Sequence, residues 1–427
     1  MLKTFGILRF LLIAFIFVYY GTPLDLFLLS NGYLGIPPTK ILLAVASAYF
    51  ILVLLEPGNI TLNRTANNIA KAGWPLALYV LFCGIFVAWG LHPTANVRGG
   101  GAFIYLSLYN LFLFAIGFTA FSDKAILARW RWLVFMPFLV LVISIWVEIK
   151  FPLLFTDQEF GRKSGFAGNP NAAAFFMVIM MLMMLDITRP KLLDMIIFGI
   201  GAIGVFATFS RGGYLLTIVL GTAIALRVLS SRNFKSIATL IIGIVLLYGF
   251  FFLAVTELHN LEKGGAFQRL DLMLSGDVEE IAEGESTEDR KMLLRDHINL
   301  ALESPFWGHG TGFTYTGQES GGPHNVYVQI WCNQGVPGVV FTLAMLFVFF
   351  THFLRYRDYK GMVFIILLLL EGFLNHNIYD QRPVILLMAA FLAYSVSKNW
   401  YFVAMPSKTN AMRKAPRQVP NSSRLPT

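Results

Sequence analysis

From its N-terminus the chain alternates apolar runs of about 20 residues with short polar breaks, and the rhythm continues nearly to the end. As a helix, a run of that length crosses the hydrocarbon layer of a bilayer. The apolar windows fall near 4–21, 39–56, 75–91, 102–121, 132–149, 171–186, 192–209, 213–230, 236–256, 326–354, 361–379 and 381–397. They predict an all-α polytopic membrane protein with about 12 transmembrane helices. The first run follows Lys3 and is not succeeded by a convincing small-residue cleavage site, so it reads as a retained span. No internal repeat of fixed period is evident.

One long hydrophilic stretch interrupts the rhythm, from about Glu257 to Pro323. It divides the chain into residues 1–256 with helices 1 to 9, a loop over 257–323, residues 324–397 with helices 10 to 12, and a tail over 398–427. The middle of the loop, Asp277 to Asp289, is strongly acidic and reads as a solvated tip. A helix follows, with Ser286 and Asp289 in capping spacing. At 100° per residue, Leu293, Leu294, Ile298, Leu300 and Ala301 share one side, while Lys291, Arg295, Asp296, Asn299 and Glu303 share the other. Arg290 and His297 fall on the apolar side. A helix lying on the membrane domain would turn Arg290 inward, where a guanidinium requires an anionic partner.

Charge changes the picture by giving it direction. Only 13% of residues are charged, against about 25% in a soluble domain. The formal net charge of +9 is spread over short loops instead of forming a nucleic-acid-binding patch. Basic residues cluster in alternate loops at Arg64/Lys71, Lys124/Arg129/Arg131, Arg189/Lys191, Arg227/Arg232/Lys235 and Arg355/Arg357/Lys360. The tail adds Lys408, Arg413, Lys414, Arg417 and Arg424, and from about Pro406 reads as disordered. The positive-inside rule makes these segments cytoplasmic, with both termini. The other loops, including 257–323, then face outward, to the periplasm in a Gram-negative host. The basic residues they do hold, Arg98, Arg162/Lys163, Arg211 and Arg382 among them, need a reason other than topology. Cys83 and Cys332 lie in apolar surroundings far apart in sequence, which fits two buried thiols better than a disulfide or metal site.

The candidate chemistry collects at the outward ends of the predicted spans. His324 follows Pro323, which blocks helix continuation, and Asn325 opens the next apolar run. An imidazole at a helix N-terminus favours its neutral form and can accept a proton from a sugar hydroxyl. A lone interfacial His that only hydrogen-bonds its loop is the bland alternative. Arg211 ends one span and precedes Gly212-Gly213, a helix start suited to anions. It can grip phosphate bidentately or snorkel to the interface. Arg162 and Lys163 fit an added anion contact or a lipid headgroup contact equally well. Glu371 lies inside a predicted span with His376 near its end, and fits pairing with Arg211, an acceptor pocket or a structural ion pair. Asp157 and Glu159 form a weak D-x-E pattern for a divalent cation. Ser210 with His324 lacks the G-x-S-x-G setting of a hydrolase.

Four stretches carry a family resemblance. His324-Asn325, nine residues, then Gly335-x-x-Gly338 resembles the H-[NSQ]-x9-G-x-x-[GTY] signature of the bacterial O-antigen ligases. Arg162-x-x-Gly165-x-x-x-Asn169-Pro170-Asn171, Thr208-Phe209-Ser210-Arg211-Gly212-Gly213, and Arg290 with Pro305-Phe306-Trp307-Gly308-x-Gly310-x-Gly312-Phe313 resemble elements of the wider ligase and polymerase superfamily. Trp307 departs from the small or aliphatic residue commoner there.

The resemblance implies a GT-C-like glycosyltransferase of the inner membrane, acting at the periplasmic face in lipopolysaccharide biosynthesis. It implies an undecaprenyl-diphosphate-linked polysaccharide donor, a lipid A–core acceptor and an inverting transfer with no cofactor and no metal. On this reading His324, Arg211 and Arg290 are catalytic. Asn325, Arg162, Lys163, Asn169, Asn171, Ser210, His297, Gly335 and Gly338 contact substrate. An O-antigen polymerase or a protein O-oligosaccharyltransferase of the same superfamily is the nearest alternative. A transporter of lipid-linked glycans would show repeated halves and mid-membrane charges.

Overall fold

The computed structural model describes residues 2–91, 100–151, 154–155, 162–231, 233–261, 285–316, 322–375 and 378–403. The expectations for Arg98, Asp157, Glu159, Arg232, His376, most of the acidic stretch and the basic tail lie outside them. Every described element is helical, with no strand among the described residues.

In chain order the helices are α1 (Leu2–Gly21), α2 (Leu24–Ser30), α3 (Pro38–Leu54), α4 (Ile60–Ala72), α5 (Trp74–Gly90), α6 (Gly100–Ser122), α7 (Lys124–Leu127), α8 (Trp130–Lys150) and α9 (Pro170–Met184). They continue as α10 (Leu192–Ala207), α11 (Arg211–Ser230), α12 (Phe234–Leu261), α13 (Glu285–Glu303), α14 (Phe313–Thr316), α15 (Val326–Arg355), α16 (Tyr359–Leu374) and α17 (Arg382–Val403). Each of the twelve apolar windows falls on one of them. Among the described residues four helices, α6, α8, α11 and α15, are long and apolar enough to cross a membrane. The number rises to six if α1 with α2, bent by 61°, and α3 with the segment Pro57–Ala72, bent by 95°, each form one broken span. Five further apolar helices are shorter, including α5, α9 and α10.

Helix starts follow local chemistry. Asn169 caps α9, with Pro170 in the first-turn position that needs no N–H. Ser210 caps α11, Asn325 caps α15 and Asp358 caps α16. Each cap takes up one or two of the four N–H groups that a helix start leaves unpaired.

The core is organised around α9, in which every residue from Ala172 to Met184 is buried. Helices α8, α10, α11, α16 and α17 pack around it. Glycine notches set the spacing: a Cβ at Gly201 of α10 would lie 2.1 Å from Met181 Sδ, and one at Gly213 of α11 would lie 2.4 Å from Ala174 Cβ. Two arginines brace the bundle through ion pairs. Arg9 of α1 pairs with Glu56 at 3.0 Å and with the buried Asp123 at 3.3 Å. Arg382, at the start of α17, pairs with Asp25 of α2, which is fully buried. A buried guanidinium and carboxylate need each other, because either alone would carry an uncompensated charge in an apolar medium.

Candidate functional site

The Arg162 element is anchored before it is functional. Glu148 of α8 is buried, and its Oε2 accepts the N–H groups of Ser164 and Gly165, both at 2.8 Å. Gly165 has φ +53, and a Cβ there would lie 2.0 Å from Ser144 Oγ, so only glycine fits against α8. Lys163 is buried too, within electrostatic reach of Glu148. The turn delivers the chain to Asn169, whose Oδ1 accepts from the N–H groups of Asn171 and Ala172 at 2.9 and 3.3 Å.

Asn171 joins two of the sequence elements. Its Oδ1 accepts from Arg162 Nη2 at 2.8 Å and from Ser210 Oγ, also at 2.8 Å. Ser210 Oγ in turn accepts from Gly213 N–H at 3.1 Å and so caps α11. The serine hydroxyl is thereby committed as donor and acceptor, and it is not placed as a nucleophile. Phe209 adopts φ +51 to make the turn into that cap. Arg211 then occupies the first helical position and is exposed.

The two glycines after Arg211 serve packing in addition to opening a helix end. Gly213 N–H is taken by the Ser210 cap, and the Gly212 Cα faces Leu374 of α16, where a Cβ would lie 3.1 Å from Cδ1. An anion at this end would rely on the Arg211 side chain more than on free backbone donors.

His324 precedes the cap of α15. Asn325 Oδ1 accepts from Tyr327 and Val328 N–H at 3.0 and 3.2 Å, and His324 takes a left-handed conformation with φ +47. The imidazole is half-buried. Tyr327, in the first turn, donates to Leu369 O of α16 at 3.0 Å, and its ring fills the space over Gly372. The end of α16 is therefore flanked by the start of α15 on one side and by Gly212 of α11 on the other. The ends bearing Arg211 and His324 belong to one face of the bundle. Glu371, buried near that end, accepts from Asn375 Nδ2 at 3.4 Å as its described contact.

Helix α13 brings Arg290. Its inward side is the anticipated one: Arg290, Leu293, Leu294, Ile298 and Leu300 are half-buried and His297 and Ala301 buried, while Lys291, Arg295, Asn299 and Glu303 are exposed. Asp296 is half-buried, departing from the anticipated polar face. His297 is held in structure: its Nδ1 donates to Leu293 O at 2.7 Å, and its carbonyl accepts from Cys332 Sγ at 2.9 Å. Cys332 and Cys83 are both free and buried.

The glycine signature of α15 has a mechanical explanation. Gly335, with φ +67 and ψ −165, breaks the helix, and Pro337 lacks the N–H that would reach Asn333 O. The carbonyls released by the break are taken by the loop after α13: His309 N–H donates to Cys332 O and Gly310 N–H to Asn333 O, both at 2.8 Å. In return Val336 N–H donates to Pro305 O at 2.9 Å. The backbones meet so closely that a Cβ at Gly335 would lie 2.2 Å from Phe306 O, and one at Gly308 would lie 2.5 Å from Asn333 O. The carbonyl of Trp307, the departure from the family pattern, accepts from Trp89 Nε1 of α5 at 2.7 Å. Gly338 lies beyond the break, with no space for a Cβ beside Gln334 and Ile330.

Of the anticipated residues, the structure joins Arg162, Asn169, Asn171 and Ser210 by direct bonds, and links the Gly335 break to the loop that follows Arg290. Arg211 begins α11, Arg290 lies on α13 and His324 precedes α15; α15 packs on α13 and on α16, and α16 on α11. Glu148, Ser144 and Thr311 escape sequence reading. Thr311 Oγ1 donates to Phe86 O at 2.9 Å and accepts from Gln334 Nε2, locking loop, α5 and α15 together. None of the three lies in a pattern that distinguishes it from other polar residues near helix ends. A family model described as O-antigen ligase matches residues 196–343, a span that includes Arg211, Arg290, His324, Gly335 and Gly338 and begins after Asn171. No curated protein matches the chain.

Proposed function

We propose that the chain, of which residues 196–343 match a family model described as O-antigen ligase, transfers O-antigen polysaccharide from undecaprenyl diphosphate to lipid A–core oligosaccharide. The reaction runs at the periplasmic face of the inner membrane, with inversion and without a metal. The observation that carries this reading is the shared end of α16: the caps that present Arg211 and His324 lie on its two sides, and α13 carries Arg290 onto the same helix, α15, that His324 precedes.

A lipid diphosphate is already a good leaving group, so the protein needs a charge clamp and a base. Arg211 and Arg290 hold the diphosphate and stabilise the charge that develops on it as the glycosidic C–O bond breaks. Arg162 supplements the clamp. His324 orients the acceptor hydroxyl and takes its proton, an effect typically worth about 10²–10⁴ in rate. Both substrates are lipid-linked, so they enter laterally between helices. The fold serves as the GT-C-like scaffold, with α1 to α12 before the loop and α15 to α17 after it.

The test is transfer by purified protein from a defined polyprenyl-diphosphate glycan to purified core lipid. His324→Ala and Arg290→Ala should each abolish product while leaving the thermal unfolding midpoint close to the parent value. Normal transfer by either variant refutes the assigned roles. A cell lacking the protein should accumulate long lipid-linked chains; single repeats attached to core would instead indicate a polymerase.

A further inference from the structure

Arginine offers donors only, so the Asn171 side chain must turn its oxygen, not its amide nitrogen, toward Arg162. Ser210 Oγ accepts from Gly213 N–H, which sends its own proton to the same oxygen. One amide oxygen therefore fixes a guanidinium ahead of the buried helix α9 and the hydroxyl that caps α11 just before Arg211. Asn171 is itself held, since its N–H donates to Asn169 Oδ1.

A carboxylate would perform the same geometric task with stronger, charge-assisted bonds. It is also the ordinary partner of a part-buried guanidinium, as Asp25 is for Arg382 and Asp123 for Arg9 elsewhere in this bundle. At position 171 the chain uses the isosteric amide instead.

We propose that Asn171 is a positioning residue chosen for its neutrality: it aims Arg162 and anchors the start of α11 without adding negative charge beside the site that receives an anionic polyprenyl diphosphate. This inference rests on the reading of the site as a diphosphate-binding transferase.

The test uses the full-length protein in lipid nanodiscs, with undecaprenyl diphosphate as the charged probe and undecaprenol as the uncharged one. Asn171→Asp keeps both hydrogen bonds, so its unfolding midpoint should equal or exceed that of the parent. It should weaken undecaprenyl diphosphate binding about tenfold, through like-charge repulsion at short range, and leave undecaprenol binding unchanged. In the transfer assay the donor KM should rise with kcat nearly constant. Asn171→Ala, which loses both bonds, should lower the midpoint. Should the aspartate variant fail to fold, Arg162→Gln provides a second arm: it should weaken the diphosphate probe and spare undecaprenol. Equal diphosphate binding by parent and Asn171→Asp, or by parent and Arg162→Gln, overturns the proposal. Equal weakening toward both probes also overturns it, because that marks a local packing role. Failure of the parent protein to bind undecaprenyl diphosphate would overturn the transferase reading itself, and this inference with it.

Discussion

Gly335→Ala tests the account of the broken helix most directly. A methyl group there would lie 2.2 Å from Phe306 O, 2.4 Å from Phe306 C and 2.7 Å from Trp307 N, all backbone atoms that cannot rotate aside. The loop must lift, and with it go the hydrogen bonds from His309 to Cys332, from Gly310 to Asn333 and from Val336 to Pro305. At about 1 kcal/mol net for each bond, and at least about 1 kcal/mol more for an alanine held at φ +67 and ψ −165, a region that essentially only glycine occupies, the docked state loses at least roughly 4 kcal/mol. Amide hydrogen exchange reads this locally. The His309 and Gly310 N–H groups should exchange about a thousandfold faster, since each factor of ten corresponds to about 1.4 kcal/mol. Gly168→Ala is the control: its φ is +67 but nothing lies within 4 Å of the added carbon, so it should cost only about 1 kcal/mol and leave those amides protected. Parent-like exchange at 309 and 310 in Gly335→Ala would refute the docking argument.

Other perturbations follow from the same geometry. Asn325→Ala removes the acceptor for two first-turn N–H groups and should cost about 1 kcal/mol, whereas Asn325→Ser should cost little; identical unfolding midpoints for the two variants would contradict the capping role. Asp25→Asn strands the Arg382 charge and should destabilise by about 3–5 kcal/mol, with much of the loss recovered in Asp25→Asn/Arg382→Met, measured by thermal unfolding of the two proteins. Gly213→Val forces α11 away from Ala174 and should cost about 1–3 kcal/mol and reduce transfer, because Arg211 moves with the helix end. EDTA should leave transfer by the purified protein unchanged; a strong loss would redirect attention to Asp157 and Glu159.

The helical class, the approximate positions of the long helices and the inward face of α13 were legible because apolar periodicity reports burial directly. Caps were legible in part: Pro323-His324-Asn325 announces a helix start, and the Asn325 bonds fulfil it. The break at Gly335 was visible as a motif but not as a docking surface. Its partner, Pro305–Gly310, lies about two dozen residues away in sequence, and carbonyl-to-amide pairing between such segments leaves no trace in side-chain identity. The same holds for Asn171. Beside the expected substrate contact, its bond across 39 residues to Ser210, which fixes a neighbour's geometry, was not legible. Lys163 read equally as an anion contact or a lipid headgroup contact, and its burial beside α8 depends on the Gly165 approach that no local pattern encodes. Short bent segments such as α2 and α4 were hidden because they sit between apolar runs and bend away from them.

The seam between α9 and α10 has one further consequence. Met181 and Met177 press their sulfur atoms into the hollows left by Gly201 and Gly204, at 2.1 and 2.8 Å from where a methyl would begin. A sulfoxide oxygen at either sulfur would need room that the seam does not contain, so oxidation before the helices close would block their final approach. Once assembled, the same tightness shields both thioethers from oxidants and from the reductases that reverse the damage. For these two methionines oxidation is thus a hazard of helix assembly more than of the assembled bundle.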